Sequence, residues 1–533
     1  MRLARSAVWS LATSLLLVSA PAQALAQDTL ILEEGVLELE NLETDADDEP
    51  LYGGAYFSPY ENLDQRLLAA LDQAKPGSTV YMSYYSLSFA EYPKKFKELR
   101  DRGVTVRLNL YEKEAVPATK RMDDDLVAEG FDVRLVPNLR HPLGRASLHT
   151  KFTVVNDELV ATGSANLSAS ASLANHEHIV VVQGAALARK YIEEFEEQRR
   201  AADAMAAAMS EDEWERFYSA WSEPFPADWT SGSPTRAAQL ARELRRIDQK
   251  TENAHPRVQT YFSPEDALDQ RCREHLLTAR RSVKVAMYTF VNGLAGTLAQ
   301  LARQGVEVTV IADDHQQEMD AAAWANERLE GEPNLHYVRA TNHLGLYSSI
   351  HHKYAVIDDE VVLAGSYNWT GSATRYNDEN LIVIRSKRLA ARFAEDFASM
   401  LQEYAPDSPS SAADFEAQGT ETSVLFAVTL PFSVPRDQDV HVVLSTPAGQ
   451  RTVALRNSRS TGENWLGSVT LPRGQEVSWK VAVGDRGGVV GALEGDPGQT
   501  RYEDGAPRPL LVAKNGLAQI VHETWRGPSP FAE

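Results

Sequence analysis

Two stretches of this chain, LHTKFTVVNDELVATGSANLS from Leu148 and IHHKYAVIDDEVVLAGSYNWT from Ile350, carry the same reactive side chains at the same spacing. His149 and Lys151 open the first, His351 and Lys353 the second. In both, an asparagine (Asn166, Asn368) follows the histidine by 17 residues and a glutamate (Glu177, Glu379) by 28. A neutral imidazole is a nucleophile near pH 7, and a protonated one can donate to a leaving alkoxide. Lysine and asparagine supply donors for non-bridging phosphate oxygens, where transition-state charge is spread. A carboxylate on the second ring nitrogen fixes a histidine's tautomer and orientation. This set suits attack on a phosphodiester. Each stretch holds one such histidine, so a two-histidine reaction needs the stretches face to face.

The elements that must position them also occur twice. Tyr56-Phe57-Ser58-Pro59 returns as Tyr261-Phe262-Ser263-Pro264, 205 residues later. Helical patterns follow (NLDQRLLAALDQA, ALDQRCREHLLTA), then strand patterns (TVYMSYYSL, SVKVAMYTF). FKELRDRGVTVRL then matches LAQLARQGVEVTV, each a helix closed by Gly103 or Gly305 before an alternating strand. An ordered series of such matches marks a duplication. Strands alternating with helices give an α/β class with a parallel or mixed sheet in each copy. Within the motifs, the two-residue period of a strand puts His and Lys on one face, about 6–7 Å apart.

Around the duplication, residues 1–26 read as a secretory signal peptide. Arg2 and Arg5 precede an apolar run, and Ala24-Leu25-Ala26 offers a cleavage site. An exported location, periplasmic or extracellular, follows. Removing that segment leaves 51 basic against 75 acidic side chains, a net charge of −24. Such acidity argues against broad electrostatic capture of nucleic acid or anionic lipid. Cys272 is the single cysteine, which excludes an internal disulfide and cysteine-ligated zinc. Residues 27–51, ten acidic and none basic, read as a partly disordered lead. Domain 1 is expected over 52–200, a helical connector with the turn-rich EPFPADWTSGSP over 201–257, and domain 2 over 258–405. A linker over 406–417, containing PDSPSSAAD, precedes an all-β sandwich over 418–533.

The pattern H-x-K-x4-D-x6-G-S-x-N, present twice, resembles the phospholipase D superfamily. His351, Lys353, Asp358, Gly365, Ser366 and Asn368 match it completely. The first copy departs once, with Asn156 at the aspartate position beside Asp157. The resemblance covers roughly residues 52–405 and extends to compact bacterial members that include phospholipases and endonucleases. It implies two α/β domains packed with pseudo-two-fold symmetry around one site, a phosphohistidine intermediate, and no metal or cofactor. By family habit the N-terminal copy supplies the nucleophile, here His149, and His351 is then the acid and later the base. Lys151, Lys353, Asn166 and Asn368 would hold the phosphate, and Glu177 and Glu379 would orient the histidines. Asp358, Asn156, Ser164 and Ser366 are supporting residues on this view.

Other residues read as scaffold. His352 should point away from His351 and Lys353. Tyr84, Tyr85 and Tyr288 suit sheet packing, and packing is the default for Trp369. Arg140, His141 and Arg145, with His343 before the second motif, could line an entrance or simply be solvated. NWLGSVTLPRGQEVSWKV resembles starch-binding β-sandwich domains, in which Trp465, Trp479 and Trp525 would stack on sugars or fill a core. The expected protein is a monomeric phospholipase D-type hydrolase, freeing head groups from glycerophospholipids during transient membrane contact. The alternatives are a metal-independent endonuclease of the same superfamily and a degenerate surface protein that binds glycans.

Overall fold

The computed structural model describes residues 29–32, 37–42, 51–111, 122–141, 146–208, 210, 234–253, 255–345, 348–407, 420–457, 463–485 and 500–530. The signal segment, EPFPADWTSGSP up to Ser233, Arg145 and most of the 406–417 linker lie outside them.

Each copy of the repeat forms a mixed sheet. The first runs in the order β1 (Thr29–Leu32), β2 (Leu37–Asn41), β3 (Tyr52–Ser58), β9 (Glu177–Gln183), β8 (Leu159–Gly163), β7 (Lys151–Val155), β4 (Thr79–Tyr84), β5 (Thr105–Tyr111), β6 (Asp132–Val136). The second runs β10 (Val258–Ser263), β16 (Glu379–Arg385), β15 (Val361–Gly365), β14 (Lys353–Ile357), β11 (Ser282–Met287), β12 (Glu307–Asp313), β13 (Leu335–Ala340). From β3 and from β10 onward the two orders are the same. Strands β4–β5–β6 and β11–β12–β13 are parallel, whereas the motif hairpins β7–β8 and β14–β15 are antiparallel. Every residue of those hairpin strands is buried, so KFTVV and KYAVI read as continuous apolar runs after their lysine.

Three cores hold this arrangement. One belongs to each half, and a third is shared. The shared core joins Phe152 and Val180 of the first sheet with Tyr354 and Ile382 of the second. Two long helices, Ala185–Ala208 and Lys387–Tyr404, add Tyr191, Phe195, Phe393 and Phe397 to it. The halves therefore meet through packed side chains rather than a hinge.

One expectation changes. The acidic lead contains strands, because LELEN alternates and turns Leu37 and Leu39 into the core while Glu38 stays exposed. The Tyr56 hydroxyl fixes that edge, donating to Glu38 O and accepting from Glu38 N, both at 2.9 Å. The connector includes a second helix, Pro234–Ile247, that packs Leu240 and Leu244 on Ala201 and Met205.

The C-terminal region is a sandwich. One sheet is β20 (Asn464–Pro472), β17 (Glu421–Thr429), β24 (Gln519–Thr524). The other holds β19 (Gly449–Leu455), β18 (Gln438–Thr446), β21 (Glu476–Asp485) and β22 (Thr500–Tyr502), with β23 (Arg508–Leu511) on β21. Trp479 and Trp525 are buried between the sheets and Trp465 packs against the same core. These rings fill the sandwich core, the second of the two roles left open for them. The outer face of β17 and β20 presses Leu425, Ala427 and Leu466 onto Tyr60 and Leu173 of the first half and Leu344 of the second. Arg456 pairs with Asp64 at 3.0 Å, and Ser399 Oγ accepts from Ala518 N at 3.1 Å. The module is clamped across both halves.

Candidate active site

The motif histidines sit just before β7 and β14, where the halves touch. His149 N donates to Asp378 O at 2.8 Å and His351 N donates to His176 O at 2.9 Å. Each histidine is thus anchored by backbone of the opposite half. The carboxylates are exchanged in the same way. His149 Nδ1 lies 2.7 Å from Glu379 Oε2, and His351 Nδ1 lies 2.7 Å from Glu177 Oε1. Both glutamates have fully buried side chains. This leaves Nε2 of either ring as the nitrogen available for chemistry.

The two pairs differ in quality. His149–Glu379 is aligned as a hydrogen bond, whereas His351 Nδ1 is close to Glu177 without the alignment a hydrogen bond needs. His149, in spite of Glu379, is held below the usual imidazole value by burial. His351 is lowered much further, by burial and then by the charges of Lys353 and Lys151. Burial pushes Glu177 up to about 7, while at Glu379 burial is offset by His149, Lys151 and Asn377 together, which keep that carboxyl low.

Lys151 and Lys353 are almost wholly buried, and each Nζ donates to the carbonyl of its own histidine, at 2.7 and 2.6 Å. Burial depresses their ammonium groups to about 8 and about 7. Asn166 and Asn368 are half-buried, and their Oδ1 atoms have no hydrogen-bond partner among the described residues. Ser366 Oγ donates to Glu379 Oε2 at 2.7 Å, and Ser164 Oγ accepts from His178 N at 2.9 Å.

Asp358 and Asn156 do not face the histidines. Both occupy left-handed turns at the far end of the hairpins, with φ of 53° and 57°. Asp358 accepts from the N–H groups of Arg280, Arg281 and Ser282. Asn156 accepts from Lys75 N at 2.9 Å and donates to Gln73 O at 2.8 Å. The one departure from the motif therefore falls at a residue that ties a turn to a helix end, where asparagine serves as well as aspartate.

Two tyrosines read as packing belong to the site. The Tyr85 ring meets the His149 ring edge-on at 5.3 Å, and Tyr288 meets His351 at 4.5 Å. Lys151 Nζ lies 5.7 Å from the Tyr85 ring centre and Lys353 Nζ 5.0 Å from that of Tyr288. Their equivalent places in SYYSL and AMYTF were the signal for this pairing. Tyr84 does pack in the core, its hydroxyl 3.0 Å from Thr153 Oγ1. Trp369 is buried against Phe290. Arg140 bridges Asp248 and Asp378 at 2.6 and 2.8 Å, so it ties the halves together rather than lining an entrance. His141 packs on Tyr376, and His343 is exposed.

His352 points into the shared core, as expected, and there it meets a cluster absent from the sequence reading. Its Nδ1 is 3.3 Å from His178 Nδ1, and its Nε2 is 3.2 Å from Asp396. His178 Nε2 accepts from Gly365 N at 3.3 Å. Among the described residues, Glu194, Glu197 and Glu265 bring carboxylate oxygens within 4.8 Å of one another, and none of them is a motif residue.

The family described as "Cardiolipin synthase, PLD-like domain" matches twice, over residues 67–199 and 272–401. The chain is 34% identical over 134 residues to the mitochondrial cardiolipin hydrolase of Xenopus tropicalis, a match spanning 25% of this chain and 60% of that relative. To the phospholipase D of Rickettsia bellii it is 26% identical over 145 residues, 27% of this chain and 68% of that one. A solved phospholipase D family member, Nuc from Salmonella typhimurium, covers 28% of this chain and 94% of its own at 24% identity, with a TM-score of 0.26. The twofold family match falls on the two sheets that carry the histidine motifs. The chain contains two PLD-like domains.

Proposed function

We propose that this chain is an exported phosphodiesterase that cleaves glycerophospholipids to phosphatidic acid and a free head group through a phosphohistidine. The observation that carries this reading is the exchange of carboxylates, His149 with Glu379 and His351 with Glu177, around two buried lysines. One imidazole attacks phosphorus and the other protonates the leaving oxygen, then activates water. The lysines, with Asn166 and Asn368, neutralise the non-bridging oxygens. None of these steps calls for a metal or cofactor. The names of the similar proteins, cardiolipin hydrolase and phospholipase D, support a lipid substrate. The net charge of −22 of the whole chain weighs against the nuclease alternative, since few nucleic-acid phosphates could be neutralised at once. The protein acts as a monomer during transient contact with a lipid surface.

The test is a paired assay in chelator, on phosphatidylcholine vesicles and on plasmid DNA. Choline release without nicking is expected; nicking without choline release would replace this reading by an endonuclease. Glycan binding with neither turnover would favour a degenerate surface protein. Export is checked by cell fractionation and by a mature chain that begins at Gln27.

A further inference from the structure

We propose that the two motif histidines have unequal, fixed roles: His351 attacks phosphorus, and His149 delivers the proton to the leaving group. This rests on the phosphodiesterase reading above and reverses the order that the family resemblance implies.

The asymmetry is in how the two glutamates are held. Both oxygens of Glu379 are engaged by donors. Oε1 accepts from Asn377 Nδ2 at 2.9 Å, while Oε2 accepts from Ser366 Oγ at 2.7 Å and lies in line with His149 Nδ1. A carboxylate so surrounded is acceptor-only and ionised, and it stabilises an imidazolium in front of it. Glu177 is held less well. Its Oε1 accepts from Asn175 Nδ2 at 3.2 Å, and its Oε2 has no aligned donor. Lys353 and the nearby Ser164 hydroxyl offset the burial of Glu177 only in part. His351 gains little from such a partner, and burial, then the charges of Lys353, Lys151, His149 and His352, oppose its protonation. A ring kept neutral is a nucleophile; a ring backed by an ionised carboxylate is the acid.

The bonds balance in two steps. The His351 Nε2 lone pair forms the N–P bond as the P–O bond to the leaving group breaks. The leaving oxygen keeps that electron pair and takes the proton from His149 Nε2. Neutral His149 then removes a proton from water as its oxygen attacks phosphorus, and the P–N pair returns to His351.

Bis(p-nitrophenyl) phosphate separates the roles, because p-nitrophenolate leaves without a proton. His149→Ala is expected to release about one equivalent in a burst and to stall with an adduct. Mass spectrometry under alkaline conditions should place that adduct on the peptide containing His351. His351→Ala should give neither burst nor adduct. His149→Gln and His351→Gln, run in parallel, keep side-chain bulk should an alanine variant fail to fold. Alkaline quenching of the wild type within one turnover needs no variant, and it should find phosphoryl on His351. An adduct on His149, or a burst in His351→Ala, overturns the assignment alone. A wild type that releases no p-nitrophenolate, no choline and no nicked DNA overturns the phosphodiesterase reading, and this assignment with it. Glu379→Gln adds a second readout. It should slow choline release by about 10²-fold or more, the scale of general-acid catalysis, while slowing p-nitrophenolate release less than tenfold. Equal slowing of both would also overturn the assignment.

Discussion

His149 and Glu379 belong to opposite copies of the repeat, 230 residues apart, and their side chains meet at 2.7 Å. Glu177 and His351 repeat the exchange at 2.7 Å. Neither motif histidine finds its carboxylate in its own half. His149→Ala and His351→Ala are therefore each expected to abolish choline release. A mixture of the two variants should recover no activity, because one chain cannot lend its half to another through a packed core. Turnover assays on each variant and on the mixture check this; recovery would show that the halves exchange between chains.

The pH profile follows from the lysines. Burial lowers Lys353 to about 7 and Lys151 to about 8, so each ammonium is lost as pH rises through those values. The charge that holds the phosphate disappears with them. kcat/KM, which reports the free enzyme, is expected to fall roughly tenfold or more between pH 7 and 9. A flat profile over that range would contradict the buried-lysine account.

Tyr288 should matter more than a packing residue would. Its ring touches His351 and lies beneath Lys353. A cation–π contact in a desolvated site is worth about 1–2 kcal/mol. Tyr288→Leu is expected to lower kcat/KM by roughly 5–30-fold, with Tyr288→Phe close to wild type, since the ring and not the hydroxyl makes the contact. Steady-state kinetics of the two variants, alongside their thermal midpoints, measure it.

Asn156 should prove to be a matter of stability alone. Asn156→Asp keeps the acceptor for Lys75 N and loses the donor to Gln73 O. It is expected to cost less than about 1 kcal/mol, and Asn156→Ala about 1–3 kcal/mol, in denaturant unfolding. Folded Asn156→Asp should keep its kcat. A large kcat loss would mean that this turn communicates with the histidines.

Much of the scaffold was visible in the sequence, because the repeat had to place the same strands twice. The pairing of His149 with the glutamate of the other half was not, since spacing within a copy cannot say which copy closes on it. Tyr85 and Tyr288 looked like sheet aromatics because they follow apolar strands and only the fold turns them to the histidines. The acidic lead misled in the opposite sense. Its charge suggested disorder, although Leu37 and Leu39 already alternated with Glu38 and Glu40. The His178–His352 contact was hidden because its members come from different halves. Trp465, Trp479 and Trp525 were equally compatible with a ligand face and a core, and only the second sheet of the sandwich decides between them.

The exchange of carboxylates has a consequence for the chain's history. Two identical half-chains meeting on a true dyad must accept every substitution twice, once on each side of the site. Fusion into one polypeptide lifts that restriction. His178 faces Gly365 where Asn380 occupies the matching place opposite, donating to Thr162 Oγ1 at 2.8 Å. Asn156 stands where the second copy has Asp358. A covalent tether of the two halves also makes the site independent of dilution.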